Sequence, residues 1–276
     1  MDVRDSLRGM PATVAAMHRL AGRTRHQLLK KWLRLLPVLL TLGSGVSPAL
    51  ATKPGASGPI EGRSAGALQT DMAARFPRAD FAREPASPDA RLVADWIVRS
   101  GDNRHSPFVL VDKADARVYV FSAEGRIQGA APALLGLATG DHAVPGIGER
   151  KLSSIRPYER TTPAGRFVAS LGRNLKGSEI LWVDYEGAIS MHPVVTSNVK
   201  ERRAQRLSTP TPLDNRISYG CINVPLDFFR TVLKPAFTGT DGIVYVLPET
   251  PAGRQLFALE QGDSLLARMG PNGPTD

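Results

Sequence analysis

The sequence predicts a mainly β protein: a single antiparallel β sandwich or barrel-like domain, with one helix before the sheet and another after the only cysteine. Runs of β-branched and aromatic residues recur between residues 108 and 247 and are separated by turn residues, a pattern typical of short strands. Two connections, 139–165 and 193–216, are long and polar. Because long loops on a rigid sheet often carry function, we expect these two to build a site.

Residues 1–51 have the pattern of a secretory signal peptide. A positive Lys30-Lys31 pair precedes an apolar run, and Ala49-Leu50-Ala51 has the small-x-small form of a cleavage site. The alternative is a membrane anchor. However, the run of 35–50 has 16 residues, two prolines and two glycines among them, and a spanning helix needs roughly 20 mostly apolar residues. We expect cleavage near Ala51 and a periplasmic or secreted protein that meets the membrane only during export.

Most of the excess positive charge belongs to this leader. The chain has a formal net charge of +9, and residues 1–51 hold eight Lys and Arg against two Asp, a net of +6. The remaining 27 basic and 24 acidic side chains leave a net of +3. An ordinary charge of this size gives no reason to expect a nucleic-acid partner.

Composition divides the rest of the chain into four parts. Residues 52–86 are rich in Ala, Gly, Pro, Ser and Arg, which predicts a flexible linker. We expect an N-terminal helix over 87–104 that packs on the domain, the β domain itself over 105–249, and a C-terminal tail over 250–276.

Both helices have recognisable start signals. Ser87-Pro88-Asp89 combines an N-cap residue, a proline and an acid in the first turn, and Gly101 is a typical terminating residue. Pro225 has the same meaning for the helix after the cysteine. The expected apolar faces are Leu92, Val93, Trp96 and Ile97 for the first helix, and Leu226, Phe229, Val232 and Leu233 for the second.

Seven segments are expected to form strands or to contain one. They are 108–112, 117–122, 127–137, 166–170, 180–184, 188–192 and 242–247. A short polar connection joins the first two, which predicts a β-hairpin.

Cys221 is the only cysteine, and two interpretations of it stay open. Buried cysteines often act as small hydrophobic side chains. However, a lone thiol in an exported protein has no internal disulfide partner and is a candidate reactive group. Gly220 permits a tight turn beside it, and a helix start just after it would favour the thiolate. A helix dipole contributes about 0.3–1 kcal/mol, less than the roughly 2 kcal/mol that full ionisation at neutral pH requires, so a basic partner is needed.

Three histidines follow the leader, and His192 is the best candidate for that partner. His105 and His142 lie in polar loops, where we expect them to be solvated. His192 ends an apolar strand and is followed by Pro193, which we expect to stop the pairing of the strand. A histidine in this position can face a loop-built cleft and act as an acid or base, although a hydrogen-bonded core histidine is the alternative.

Considered together, the histidine and the cysteine carry a resemblance to a known family. The pattern of His192, a loop, and then Ser218-x-Gly220-Cys221-x-Asn223 resembles the active-site signature of the L,D-transpeptidases, which remodel peptidoglycan.

The resemblance covers residues 105–249. Residues 108–121 resemble the opening hairpin of the family, 161–167 its Thr-Pro-x-Gly segment, and 243–247 its closing strand.

The resemblance implies a reaction through a thioester acyl-enzyme. Cys221 would attack the carbonyl that joins the third residue of a peptidoglycan tetrapeptide stem to the terminal D-Ala. His192 would hold the thiolate as an ion pair and then protonate the departing amine. An amine of another stem would resolve the thioester, which gives a 3–3 cross-link or a related wall attachment. No cofactor is implied, and one Cys with three scattered His does not have a zinc-site spacing.

The neighbouring residues have supporting roles in the same scheme. The carbonyl of Pro193 would orient the imidazole, and the N–H groups of Gly220 and Cys221 would form an oxyanion hole. Ser218 and Asn223 are expected to hold the loop.

The sequence departs from the family pattern in two places. Tyr219 stands where the family has a histidine, so this position has no second base, and the phenol is left to donate a hydrogen bond or to wall the pocket. The 28 residues between His192 and Cys221 exceed the usual spacing. Doubling a flexible loop costs only about 0.6 kcal/mol, so the two side chains can still meet. For the basic run of residues 200–206 we favour a solvated surface over contact with acidic substrate.

Three alternatives to the transpeptidase remain. The same scaffold is compatible with an L,D-carboxypeptidase or with an enzyme that attaches a protein to the wall, because the shape of the loops decides the acyl acceptor. A non-catalytic peptidoglycan-binding module is an alternative of another class. A papain-like protease has its cysteine before its histidine, the opposite of the order here.

Overall fold

Ten strands provide most of the secondary structure of residues 77–174 and 176–255, the part of the chain that the computed structural model describes. The strands are β1 (Phe108–Asp112), β2 (Arg117–Phe121), β3 (Ile127–Pro132), β4 (Leu135–Gly136), β5 (Gly165–Arg173), β6 (Glu179–Asp184), β7 (Ile189–Pro193), β8 (Arg216–Ser218), β9 (Ile222–Val224) and β10 (Gly242–Val246). The seven predicted segments all contain a strand, and β8 and β9 are additional.

Three helical segments lie before residue 250, and residues 251–255 are helical as well. They are α1 (Pro88–Ser100), α2 (Arg203–Ser208) and α3 (Leu226–Phe228), the last of which continues through a π-helical turn (Phe229–Leu233) into α4 (Lys234–Phe237). Single 3₁₀ turns lie in the long connections, at Ile147–Glu149, Leu152–Ser154, Pro157–Glu159 and Val199–Glu201.

Eight strands form one mixed, nearly closed sheet in the order β3-β2-β1-β10-β5-β6-β7-β9. The pairs β1–β10 and β7–β9 are parallel, and the other five are antiparallel. Leu134, just beyond β3, exchanges backbone hydrogen bonds of 2.8 and 2.9 Å with Asn223 in β9. Because this bridge joins the two edges, the mainly antiparallel, barrel-like class that the sequence predicts is confirmed.

The apolar runs of β1 and β2 are continuous because both faces of these strands are buried. Val109, Val111 and Val118 face the interior of the sheet and pack with the side chains of β7, β9 and the helical segment 226–237. The alternate residues, such as Phe108 and Tyr119, face α1 and form a second apolar cluster with it. A helix therefore covers the outside of the hairpin, and water contacts neither face.

Helix α1 forms as its sequence signals predict. The Ser87 hydroxyl accepts a hydrogen bond of 3.0 Å from the Ala90 N–H and donates one of 2.6 Å to Asp112, so it caps the helix and ties it to β1. Gly101 ends the helix with a φ of 66°, a conformation that glycine adopts without strain. The fully buried residues are Ala90, Val93, Ala94 and Ile97, whereas Leu92 and Trp96 are half-buried at the edge of the contact.

The packed part of the chain begins before the expected boundary at residue 87. Asp80 forms a backbone bridge with Arg126, and Phe81 is only 3% exposed, with its ring edge-on to Tyr119 and Phe121. The end of the predicted linker, 77–86, is thus part of the domain surface.

The signal-peptide prediction for residues 1–51 and the rest of the linker fall outside the described residues. So does most of the C-terminal tail, from residue 256 onward. Within the described part, no helix has the length and apolarity that a membrane span requires.

A buried ionic cluster fixes the end of the domain. The Lys113 side chain is 0% exposed, and its ammonium donates to Asp141 at 2.7 Å and to the carbonyls of Gly140 and Thr162 at 2.7 and 2.9 Å. Asp141 in turn accepts from the backbone N–H groups of Glu249 and Thr250, both at 2.9 Å. Every charge is paired, as a buried charge must be.

We expect this cluster to make stability fall in acid. Burial raises the pKa of Asp141, but hydrogen bonds from Lys113, Thr250 and the Glu249 N–H outweigh it and hold the pKa below its usual value. A lowered pKa stabilises the fold above the unfolded value of about 3.9, and that stability is lost as the pH falls through the folded pKa.

Asp141→Asn should therefore be less stable than the parent at pH 7, and the difference should shrink as the pH falls below about 4, because the unfolded carboxyl gains a proton there while the folded one does so only at lower pH. Urea unfolding at pH 7, 4 and 3 measures it. A difference that stays constant across this range contradicts the account.

Candidate active site

The parallel pairing of β7 with β9 puts the predicted catalytic side chains on one face of the sheet. Met191 is paired with Ile222, His192 with Asn223 and Pro193 with Val224. Met191 and its partner Ile222 pack in the core. Because side chains alternate along a strand, the residues on either side of them lie on the opposite face.

Direct contacts confirm that four polar side chains share this face. The Ser190 hydroxyl lies 3.7 Å from the sulfur of Cys221, and Asn223 Nδ2 lies 3.3 Å from His192 Nε2. All four are buried and three of them, His192, Cys221 and Asn223, line a cavity of about 670 Å³. The 28-residue connection thus does not keep the histidine and the cysteine apart.

Cys221 is buried, with 1% of its surface exposed, yet its surroundings are polar. Its thiol donates to the carbonyl of Ala188 at 3.7 Å, and the sulfur accepts from Ser190. Cys221 is also one of the residues that line the cavity. These contacts favour the interpretation as a reactive group over that as a small hydrophobic filler.

The expected helix dipole at Cys221 is wrong. Strand β9 lies between the cysteine and the first helical residue, Leu226, and Pro225 is the N-cap rather than the first helical residue. The dipole effect fades within the first turn of a helix, so it does not act at a residue beyond an intervening strand. Support for a thiolate has to come from the side chains of β7 instead.

His192 is held by its own strand. Its Nδ1 lies 2.8 Å from the carbonyl oxygen of Pro193, which is the contact that the sequence analysis expected. Pro193 does not end the strand pairing, contrary to expectation, because it is paired with Val224 and the Val194 N–H still donates to that residue at 2.9 Å. The missing N–H of Pro193 is tolerated where the pairing of β7 with β6 has ended, at Met191.

The turn before Cys221 is fastened by hydroxyl groups. Ser218 Oγ donates to the Cys221 carbonyl at 2.6 Å and accepts from the Gly220 N–H at 3.0 Å. Gly220 has a φ of 126°, which side chains rarely permit. Its carbonyl accepts from Thr162 Oγ1 at 2.9 Å, and the same hydroxyl accepts from the Gly136 N–H.

These contacts change two expectations. Ser218 bridges the turn through two hydrogen bonds, and because one of them takes the Gly220 N–H, that group does not fit the expected oxyanion role. Thr162 is a supporting residue that the sequence reasoning missed, although the Thr-Pro-x-Gly segment that contains it was singled out. In the sequence, Thr162 is only a hydroxyl residue before a proline. That pattern does not indicate which backbone groups its hydroxyl contacts.

Tyr219 walls the cavity. It is half-buried, and the guanidinium of Arg160 lies 3.9 Å from the centre of its ring, a cation–π distance. Arg160 is itself held by the carbonyl of Ile155 at 3.1 Å. The tyrosine therefore links the 139–165 connection to the cysteine turn, and of its two expected roles the wall is the one that these contacts favour.

The 193–216 connection is structured, and the solvated interpretation of its basic run is wrong for two arginines. Arg203 Nη1 donates to Asn223 Oδ1 at 2.8 Å, and Arg206 donates to the carbonyls of Glu201 and Asp214 at 2.9 and 2.5 Å. Arg202, in contrast, is exposed. The sequence could not show that Arg203 contacts the site and Arg202 does not. The two residues are adjacent and identical, and only the backbone conformation decides where each side chain points.

The remaining candidates lie away from this cavity. His105 and His142 are both exposed and do not line it, as expected for solvated histidines. Within residues 77–174 and 176–255, no three His, Cys, Asp or Glu side chains gather in a way that could hold a metal ion.

We expect the Ser190 hydroxyl to increase the reactivity of the cysteine. A hydrogen bond is worth about 1 kcal/mol, so Ser190→Ala should slow alkylation of Cys221 by iodoacetamide roughly threefold to tenfold, because the thiolate is the reacting form. Ser178→Ala is the matched control, since this exposed residue lines the same cavity. Equal rates for the parent and both variants would show that Ser190 has no such effect.

Comparison with known proteins gives a limited likeness. Neither a family model nor a curated protein matches the sequence. Among solved structures, a helical cell shape determining protein from Campylobacter jejuni is 17% identical with a TM-score of 0.34, and the match covers 60% of this chain and 58% of that one. L,D-transpeptidase 1 of Mycobacterium tuberculosis is 15% identical with a TM-score of 0.26, over 51% of this chain and 61% of that one.

A third solved structure is the catalytic domain of an Enterococcus faecium L,D-transpeptidase, 20% identical with a TM-score of 0.27, over 52% of this chain and 98% of that one. Except for this isolated domain, the matched region spans about three fifths of these proteins. At such scores, function has to be argued from the residues of this chain. In those residues, the chain resembles the L,D-transpeptidase catalytic domain through its His192 and Ser218-x-Gly220-Cys221-x-Asn223 motif.

Proposed function

We propose that this chain is a cysteine L,D-transpeptidase that acts on peptidoglycan stem peptides after export. The observation that carries the proposal is the shared face of β7 and β9, where Cys221, Ser190, His192 and Asn223 meet at the border of a cavity. A nucleophile, a candidate base and a group that orients the base are the parts that covalent acyl transfer requires.

His192 is suited to the role of base. The Pro193 carbonyl can only accept, so Nδ1 carries a proton and donates to it, and Nε2 is left with a lone pair. A histidine in this tautomer takes a proton through Nε2, which points to the same face as the thiol. In the neutral ring, Nε2 is thus the nitrogen that can accept the thiol proton.

The acylation step follows from these positions. The Cys221 sulfur forms a bond to the carbonyl carbon of the third stem residue, and its proton passes to His192 Nε2. The bond from that carbon to the D-Ala nitrogen then breaks, and the imidazolium gives the proton to the departing amine.

The second step regenerates the thiol. An amine of a neighbouring stem attacks the thioester carbonyl, its proton passes to His192, and the sulfur leaves and recovers a proton. The cavity is lined by cationic Lys176, Arg203 and Arg230 and by anionic Glu179 and Glu201. Mixed charge of this kind suits a stem peptide, which carries both an amine and carboxylates.

Reaction with a carbapenem is the first test. A solved L,D-transpeptidase structure is of a complex with imipenem, which makes this compound the natural probe. The parent should gain the mass of one imipenem molecule and Cys221→Ala should gain none. His192→Gln should react slower by roughly 10²-fold or more, since general base catalysis contributes 10²–10⁴-fold.

Intact-protein mass spectrometry detects the adduct. A folded parent that gains no mass would favour a non-catalytic peptidoglycan-binding module. The adduct by itself does not identify the acyl acceptor.

Products from tetrapeptide stems identify the acceptor. We expect a cross-linked dimer together with one released D-Ala per dimer, detected by chromatography and mass spectrometry. Release of D-Ala without a dimer would instead show an L,D-carboxypeptidase. A protein substrate added in place of the second stem tests wall attachment in the same assay.

A further inference from the structure

The side chain of Asn223 is fully buried between a histidine and an arginine. Its Oδ1 lies 2.8 Å from Arg203 Nη1, and its Nδ2 lies 3.3 Å from His192 Nε2 and 3.4 Å from the Cys221 carbonyl oxygen. A guanidinium can only donate and a carbonyl oxygen can only accept. Both neighbours therefore require the same amide orientation, with the oxygen towards Arg203 and the NH₂ group towards His192.

This orientation determines which ring nitrogen of His192 carries the proton. Because the amide NH₂ group donates, the Nε2 that faces it must accept and has no proton in the neutral ring. The Pro193 carbonyl independently requires a proton on Nδ1. The same tautomer is thus selected from both sides of the ring.

Arg203 is placed to hold the amide in this orientation. It is the first residue of α2, its side chain is 14% exposed, and its Nε lies 2.5 Å from a carboxylate oxygen of Glu201. Arg206 fastens the preceding turn by donating to the Glu201 carbonyl at 2.9 Å. Glu201 therefore holds the guanidinium at Nε, while Nη1 donates to Asn223.

We propose that Arg203 is a positioning residue that acts on His192 through Asn223: it keeps the amide from turning over and so keeps a lone pair on Nε2, which the thiol proton takes in place of the amide N–H. The inference rests on the proposed function in that it gives His192 the part of the base. Without Arg203, only the 3.4 Å contact with the Cys221 carbonyl holds the amide, and an amide that turns over presents its oxygen to Nε2. A proton on Nε2 is then stabilised while the Pro193 carbonyl still holds the one on Nδ1, so the doubly protonated ring is favoured. Such a ring cannot take a proton from Cys221.

The test reads the tautomer directly. In full-length chain labelled with ¹⁵N-histidine, protonated and unprotonated ring nitrogens have separate shifts, and His192→Gln assigns the signals among the five histidines. At about pH 8.5, well above the ordinary histidine pKa of about 6.5, the parent should show a proton on Nδ1 alone. Arg203→Met should shift the ring toward the form protonated on both nitrogens, because the Pro193 carbonyl still accepts from Nδ1, and should slow iodoacetamide alkylation of Cys221 roughly tenfold.

Three further variants provide controls. Arg203→Lys keeps a donor and should restore the parental tautomer, and Arg202→Met, which removes the exposed neighbouring charge, should leave it unchanged. Asn223→Asp presents only acceptors and should put a second proton on the ring, at Nε2, which decides the matter if Arg203→Met does not fold.

The proposal is overturned if Arg203→Met keeps the parental ¹⁵N shifts, whatever happens to the alkylation rate, or if Arg202→Met moves them equally. Parental shifts in Asn223→Asp overturn it too. A tautomer that responds as expected in a protein that imipenem does not acylate would leave Arg203 as a positioning residue and reject the transpeptidase, so the two failures are distinguishable.

Discussion

The structure depends above all on the parallel pairing of β7 with β9. This pairing joins residues 31 positions apart, and it sets the register in which Ser190 lies against Cys221 and His192 against Asn223. Side chains alternate along a strand, so a slip of one residue would turn the cysteine into the core and Ile222 toward the cavity. Strand β9 also closes the sheet, because its residue Asn223 is bridged to Leu134.

The site uses neutral polar groups where a helix dipole was expected. A hydroxyl from Ser190, a carbonyl from Pro193 and an amide from Asn223 surround the thiol and the imidazole. None of them changes charge near neutral pH, and each has a fixed direction because its backbone lies in a strand. Such fixed dipoles need not reorganise when charge moves between sulfur and ring, which is how preorganised sites lower a barrier.

Sequence reasoning succeeded where a local pattern has one physical solution. Ser87 with Pro88, and the continuous β-branched and aromatic runs of β1 and β2, specify a capped helix and a hairpin almost without reference to the rest of the chain. The candidate nucleophile and base were found because their residue types are rare in this chain. The failures were tertiary. Ile222–Val224 is too short to be recognised as a strand before a proline, and the roles of Arg203 and Lys113 depend on partners 20 or more residues away.

Asn223 serves two parts of the molecule at once. Its backbone links the two edges of the sheet, and its side chain lies between the imidazole and the guanidinium. Breaking the backbone bridge between Leu134 and β9 would therefore displace the Asn223 side chain from the histidine ring. Displacing the ring would in turn strain the bridge. The closure of the sheet and the protonation of the imidazole are thus coupled through one residue. A spectroscopic signal from the His192 ring therefore also reports whether the sheet is closed.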